Sequence, residues 1–215
     1  MKTIGIMAQK GGAGKSTLAV HLAVKAGKGT FILDTDPQGS ATIWHKKRNA
    51  EFPLLAQANE ANLKSLKKAA EGEGAKTVFV DAPPHNEEIA GEIAAMSDFV
   101  IIACRPGFFD LNGIASTVAT LIHRKTPGVI VLNACEPMAR KKGRGVAVEH
   151  RDVTDAREVL TNYQEFPVYP GQITQRLAFS HSLNDGRAVM EFEPKSKASK
   201  EINELWKWVS RKVGK

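Results

Sequence analysis

Short apolar runs alternate with helical periodicity along the whole chain. Residues 2–8, 30–34, 77–81, 98–103 and 128–133 are brief stretches rich in Val, Ile and Phe, the pattern of strands buried on both faces. Between them, residues 16–26, 61–70, 87–96 and 111–123 carry apolar positions at helical spacing. Strands that alternate with helices predict parallel βαβ units. The expected fold class is therefore α/β, a doubly wound and mostly parallel sheet with helices on both faces. No internal repeat or long low-complexity linker interrupts the alternation, so residues 1–215 are expected to form a single domain. The most irregular stretch is EPMARKKGRGVAVEHR at 136–151, a basic loop with two glycines. The helical DVTDAREVL and a further ITQRLAF come after it, and it reads as an insert within that domain.

Composition narrows the setting. Of 215 residues, 42% are hydrophobic and 25% charged, which is ordinary for a soluble globular domain. No apolar run approaches the roughly 20 residues that a membrane span requires. The N-terminus enters a strand pattern almost at once, without the apolar region and cleavage site of a signal peptide. Cys104 and Cys135 each sit in or at the end of an apolar run and read as buried thiols rather than a disulfide. No Cys or His cluster has zinc or iron–sulfur spacing. Together these features predict a cytoplasmic protein. The net charge of +7 favours a polyanionic partner, either nucleic acid or an anionic membrane surface, without choosing between them.

In open parallel sheets, ligands bind beyond the carboxyl ends of the strands. Three signals fall on that edge: the glycine loop in AQKGGAGKST at 8–17, the carboxylates Asp34 and Asp36, and Asp81. Gly11, Gly12 and Gly14 allow a tight turn that exposes successive N–H groups, which with the start of the next helix form an anion-binding nest. Lys15 can reach the outer phosphates of a nucleotide, and Ser16 can place its hydroxyl on a magnesium ion. Asp81, ending TVFVD, suits a carboxylate that organises magnesium through bound water, or a turn residue that caps the next helix.

KGGAGKST resembles the deviant Walker A motif of the ParA/MinD family of ATPases, in which an extra lysine opens the loop. DTDPQGSAT (34–42) is similar to the family's second signature, VFVDAPP to its Walker B strand, and TQRLAFSHSLNDGRAV to a later segment of the ParA branch. The resemblance spans most of the chain and implies a P-loop NTPase fold using ATP and Mg2+. It implies that Lys10, Gly11, Gly12, Ala13, Gly14, Lys15, Ser16 and Thr17 hold the nucleotide, and that Asn133 meets the adenine. Ser16, Asp34 and Asp81 would serve the metal. Lys10, Lys15 and Asp36 would be catalytic, Asp36 by positioning the attacking water. It also implies a homodimer with ATP, in which Lys10 crosses to the other subunit's nucleotide and supplies charge during γ-phosphoryl transfer. The interval 15–34 is a few residues shorter than is usual in the family, which predicts a first helix about one turn shorter. The chain is most similar to the short ParA type, for which specific operator binding is not expected.

Two functions are implied by the resemblance. In the first, an ATP-bound dimer coats nonspecific double-stranded DNA and positions a cargo with a ParB-like adaptor, which would make the protein nucleoid-associated. Arg140, Lys141, Lys142, Arg144 and Arg176 are the expected DNA contacts, with Arg151, Arg157 and Arg187 nearby in sequence. The second is a MinD-like attachment to membrane through EINELWKWVSRKVGK, where Ile202, Leu205, Val209 and Val213 share one helical stripe. The same stripe also suits a helix docked on the sheet, and on that reading no stable membrane binding is expected. Metabolic P-loop enzymes share the fold. A reductase iron protein is disfavoured by the absence of cluster cysteines, and a ligase by DTDPQ and Lys10.

Overall fold

A computed structural model describes residues 1–140, 147–164 and 166–214. In chain order the elements are β1 (Lys2–Met7), α1 (Lys15–Ala26), β2 (Thr30–Asp34), α2 (Ser40–Lys47), β3 (Leu54–Gln57), α3 (Leu63–Gly72), β4 (Thr77–Asp81), α4 (Glu87–Met96), β5 (Phe99–Cys104) and α5 (Phe108–His123). They continue with β6 (Gly128–Leu132), β7 (Ala139–Arg140), β8 (Ala147–Val148), α6 (Arg151–Leu160), α7 (Leu177–Asn184), α8 (Val189–Phe192) and α9 (Lys197–Val213). Six strands form one sheet in the order β3-β2-β4-β1-β5-β6, and every pairing in it is parallel. The sheet is thus wholly rather than mostly parallel. β7 and β8 pair antiparallel outside it.

The continuous apolar runs are explained by two cores, one on each face. Successive side chains of a strand point to opposite sides. Ile4, Ile6, Phe79, Ile101, Val129 and Val131 accordingly join Leu18 and Leu22 of α1 and Ile202, Leu205 and Val209 of α9 in one core. Met7, Val78, Val80, Val100, Ile102 and Ile130 join α3, α4, α5 and α6 in the other. The C-terminal helix is therefore a structural layer: its apolar stripe, including Ala198 and Val213, lies in the first core. The exposed edge of β6 is covered by the segment before α7, where Ile130 donates to Pro167 O and Ile173 to Leu132 O.

Register sets the site. Ile6 pairs with Asp81, and Asp81 with Asp34, so β1, β4 and β2 end in one row. Both Thr35 N and Thr35 Oγ1 donate to Asp81 O, at 3.0 and 2.6 Å, which ties the ends of β2 and β4 together. The loops leaving these three strands therefore emerge on one rim.

Candidate functional site

The loop after β1 turns on two glycines in the left-handed region, Gly12 at φ 74° and Gly14 at φ 86°, where a β-carbon would be strained. Gly14 is the N-cap of α1, and its carbonyl accepts from Leu18 N. Lys15 and Ser16 thus begin a helix whose unpaired N–H groups and dipole both favour an anion. The loop opens onto a cavity of about 540 Å³, lined by Gly12, Gly14, Lys15, Ser16, Thr17 and Asp36 among others.

Behind the loop the carboxylates differ in use. Asp34 is fully buried and saturated: Oδ1 accepts from Asp36 N at 3.2 Å, and Oδ2 from Thr42 N and Oγ1 at 2.9 and 2.8 Å. It organises the turn that holds Asp36 and leads into α2. Asp36 is half-buried on the cavity wall, with Oδ1 accepting from Gln38 N at 2.9 Å. Asp81 is also fully buried, yet neither of its oxygens has a hydrogen-bond partner, and the Ser16 hydroxyl approaches without completing one. Burial pushes its pKa up to about 7; Asp34 and Asp36 push the same way, and Ser16 and Lys15 oppose them. Burial likewise lowers the pKa of Lys15, against the raising effect of Asp81 and Asp36.

An orphaned buried carboxylate beside a serine hydroxyl at a helix start is what a magnesium ion needs in order to be held through water. Among the described residues no group of three His, Cys, Asp or Glu side chains could hold a metal by itself. The donor set therefore fits an ion completed by nucleotide phosphates, as Mg2+ prefers.

The other residues expected to act at the site have varied surroundings. Asn133 is 5% exposed and its Nδ2 donates to Ala13 O at 2.6 Å, so it braces the glycine loop from below. A β-carbon at Gly14 would come within 2.2 Å of that nitrogen. The Lys10 ammonium stands on the outer side of the loop, 4.7 Å from the centroid of the Phe109 ring. Lys141, Lys142 and Arg144 lie outside the described residues, and for Arg140 only the backbone, in β7, is described.

Arg176 pairs with Glu201 at 2.7 Å, and Glu201 also accepts from Thr174. In this structure Arg176 is a half-buried link between the start of α7 and α9 rather than an open cation. Arg157 binds Glu149 and donates to the carbonyls of Tyr169, Pro170 and Gly171, a brace under the β6 edge. Arg187 is engaged by Asp185 and stacks on Phe192. Arg105, which no motif marked, comes close to Gly12.

A glycine loop between β1 and α1, with a buried strand-end aspartate behind it on a wholly parallel sheet, defines a P-loop nucleotide-binding protein. The sequence matches the CobQ/CobB/MinD/ParA nucleotide binding domain over residues 4–187, and the chain belongs to that family. It is 26% identical over 201 residues to the maintenance of carboxysome distribution protein A of Gloeobacter kilaueensis, covering 91% of this chain and 87% of that one. Over 153 residues it is 28% identical to the chromosome-partitioning ATPase Soj of Thermus thermophilus, covering 56% and 61%. Among solved structures, the MinC:MinD cell division complex of Aquifex aeolicus superposes with a TM-score of 0.73 at 17% identity, covering 98% of this chain and 96% of that one. An ATP complex of McdA from Cyanothece gives 0.71 at 17%, covering 96% and 95%. At these identities the structures speak for the fold.

Proposed function

We propose that the chain is a positioning ATPase of the partition type. MgATP drives a homodimer, the dimer binds nonspecific double-stranded DNA, and hydrolysis releases it. A ParB-like adaptor sets the rate and carries the cargo, and the protein is cytoplasmic and nucleoid-associated. When bound, Mg2+ would supply positive charge that offsets the negative charge of the phosphates. Ser16 and Asp81 would hold that ion, and Asp34 would support it indirectly by fixing the turn beside it. Gly11 to Thr17 cradle the phosphates, with Lys15 as the loop's own counter-charge. Asp36, on the cavity wall, positions the water. Lys10, on the loop's outer side, is directed to the nucleotide of the other subunit.

The observation that carries DNA over membrane is the burial of the α9 stripe. Ile202, Leu205, Val209 and Val213 are committed to the core, Trp206 and Trp208 are half-buried against Phe79 and Tyr169, and the exposed positions nearby are basic, such as Lys207, Arg211 and Lys212. Inserting the stripe into a headgroup layer would strip that core. Similarity to the chromosome-partitioning ATPase Soj and to a carboxysome distribution protein supports the positioning of a cargo, and the net charge of +7 suits a polyanionic surface. In a dimer, the number of phosphates neutralised doubles, so DNA binding should require MgATP and weaken steeply with salt.

Co-sedimentation with unrelated duplex DNA and with anionic liposomes, each with ATP and with ADP, tests the proposal. Pelleting with DNA only in ATP is expected. Pelleting with liposomes but not DNA in ATP would replace the partition reading with a MinD-like one.

A further inference from the structure

The inner face of the glycine loop is served by Lys15, Ser16 and Asp81. Its outer face carries a second set of charges. Arg105 leaves the sheet just after β5 and reaches back over the loop, so that a methyl group placed on Gly12 would lie 3.8 Å from Nη1. Its Nε donates to Asp110 Oδ1 at 3.1 Å, in the first turn of α5. The preceding residue, Phe109, carries the Lys10 ammonium on its ring. Two cations are thus mounted on consecutive residues of one helical turn, beside the loop that cradles phosphates.

This is a poor place for positive charge alone. The N-termini of α1 and α5 both present the positive end of a helix dipole here. Asp110 offsets one of the two cations, and among the described residues no carboxylate pairs with Lys10. Asp110 engages only the Arg105 Nε; among the described residues Nη1 and Nη2 donate to nothing, and the side chain is 39% exposed. A guanidinium held by one nitrogen, with its other two nitrogens open, is suited to grip phosphate oxygens.

We infer that Arg105 is a second phosphate-binding cation, acting beside Lys10 on the same oxygens, with Asp110 as its positioning residue. The inference rests on the proposed role of Lys10 at the other subunit's nucleotide. A cation over an exposed ring is weakly held compared with one bonded to phosphate. The arriving anion therefore draws Lys10 off Phe109 and toward Arg105.

The test uses the full chain with MgATP and the variants Arg105→Ala, Arg105→Lys, Asp110→Asn and Lys10→Ala. It reads ATP turnover, ATP-dependent assembly by size-exclusion chromatography, and the affinity of fluorescent ADP. Arg105→Ala should lose at least about tenfold in kcat and shorten the life of the ATP assembly. Its ADP affinity should stay within about twofold, because the inner cradle is untouched. Arg105→Lys should recover part of the loss, and Asp110→Asn should reproduce a smaller version of it. Combining Lys10→Ala with Arg105→Ala should cost less than the product of the single effects, since both act on one anion. Parental turnover and assembly in Arg105→Ala would overturn the inference. If Lys10→Ala is then impaired, Arg105 alone is misassigned; if Lys10→Ala is also parental, the reading of Lys10 falls with it. Should Arg105→Ala fold poorly, Arg105→Gln carries the same outcomes.

Discussion

Replacing Asp81 with asparagine should make the nucleotide-free protein more stable while ending its response to MgATP. The carboxylate is fully buried with no hydrogen-bond partner, and its pKa stands at about 7 against an ordinary 3.8. A carboxyl whose folded pKa lies above its unfolded value binds an extra proton in the folded state. Its contribution to stability is therefore complete below pH about 4 and is lost as the pH rises toward 7. At about 1.4 kcal/mol per pKa unit, the raised pKa costs the fold about 4 kcal/mol at pH 8, where the buried group is ionised, and about 2 kcal/mol at pH 5, where folding must take up a proton. Asparagine has nearly the same shape and no charge, so the variant escapes that cost. For a chain of this length each kcal/mol moves the melting temperature by about 2–4 °C. Asp81→Asn should then melt roughly 10 °C above the parent at pH 8, with the gap about halved at pH 5. Differential scanning calorimetry at the two pH values, with and without MgATP, measures both effects. A variant that melts at or below the parent at pH 8, or a gap that widens on acidification, would refute the reasoning. So would full stabilisation of the variant by MgATP, since nothing would then tie Asp81 to the ion.

Gly14→Ala places a β-carbon against the Asn133 amide at a positive φ and should destabilise the fold by about 1–3 kcal/mol. It should also abolish nucleotide binding, measured by urea melts and fluorescent ADP. Asn133→Ala leaves the Ala13 carbonyl without its buried donor, which should cost about 1–3 kcal/mol and weaken ADP binding; unchanged affinity would show that the brace is dispensable. His21 is fully buried and its pKa is pushed down to about 4 by desolvation. The stability it contributes is present above pH 6.5 and falls as pH drops toward 4, by about 3 kcal/mol in all. His21→Leu should flatten that acid slope in urea midpoints. Deleting residues 206–215 removes Val209 and Val213 from the core. The product should lose its cooperative melt by circular dichroism; a shortened chain that melts like the parent would show that α9 is dispensable to the core.

Much of this molecule is written in neighbouring residues. The apolar runs at β1, β2, β4, β5 and β6 mark strands because a strand buried on both faces needs no polar position. The glycine loop is legible because only glycine tolerates the turns at Gly12 and Gly14 without strain, and because Lys15 and Ser16 come next at the spacing phosphates require. β3 escaped that reading: LLAQ is a four-residue edge strand that stays partly exposed, so its pattern is neither continuously apolar nor long. The short helices α2, α7 and α8 escaped it too, each held mainly by packing against other elements. The first helix is twelve residues long.

Other properties depend on partners far away in the chain. Arg176 looks in sequence like a free cation, yet Glu201, in the last helix, engages it, and Arg157 is held by the carbonyls of Tyr169, Pro170 and Gly171. Asn133 reads as a strand-end residue near a base, and its partner is a carbonyl 120 residues earlier. Arg105 belongs to no motif and matters only because β5 and β1 are adjacent, which sets it beside Gly12. The α9 periodicity establishes an apolar stripe but not what covers it. A stripe's period is a property of one helix, whereas its burial depends on a sheet face assembled from strands throughout the chain. Local sequence was enough to name the groups that could serve phosphate and metal. Which of the charges were already paired was settled by the packing of distant segments, because an ion pair forms between neighbours in space and not along the chain.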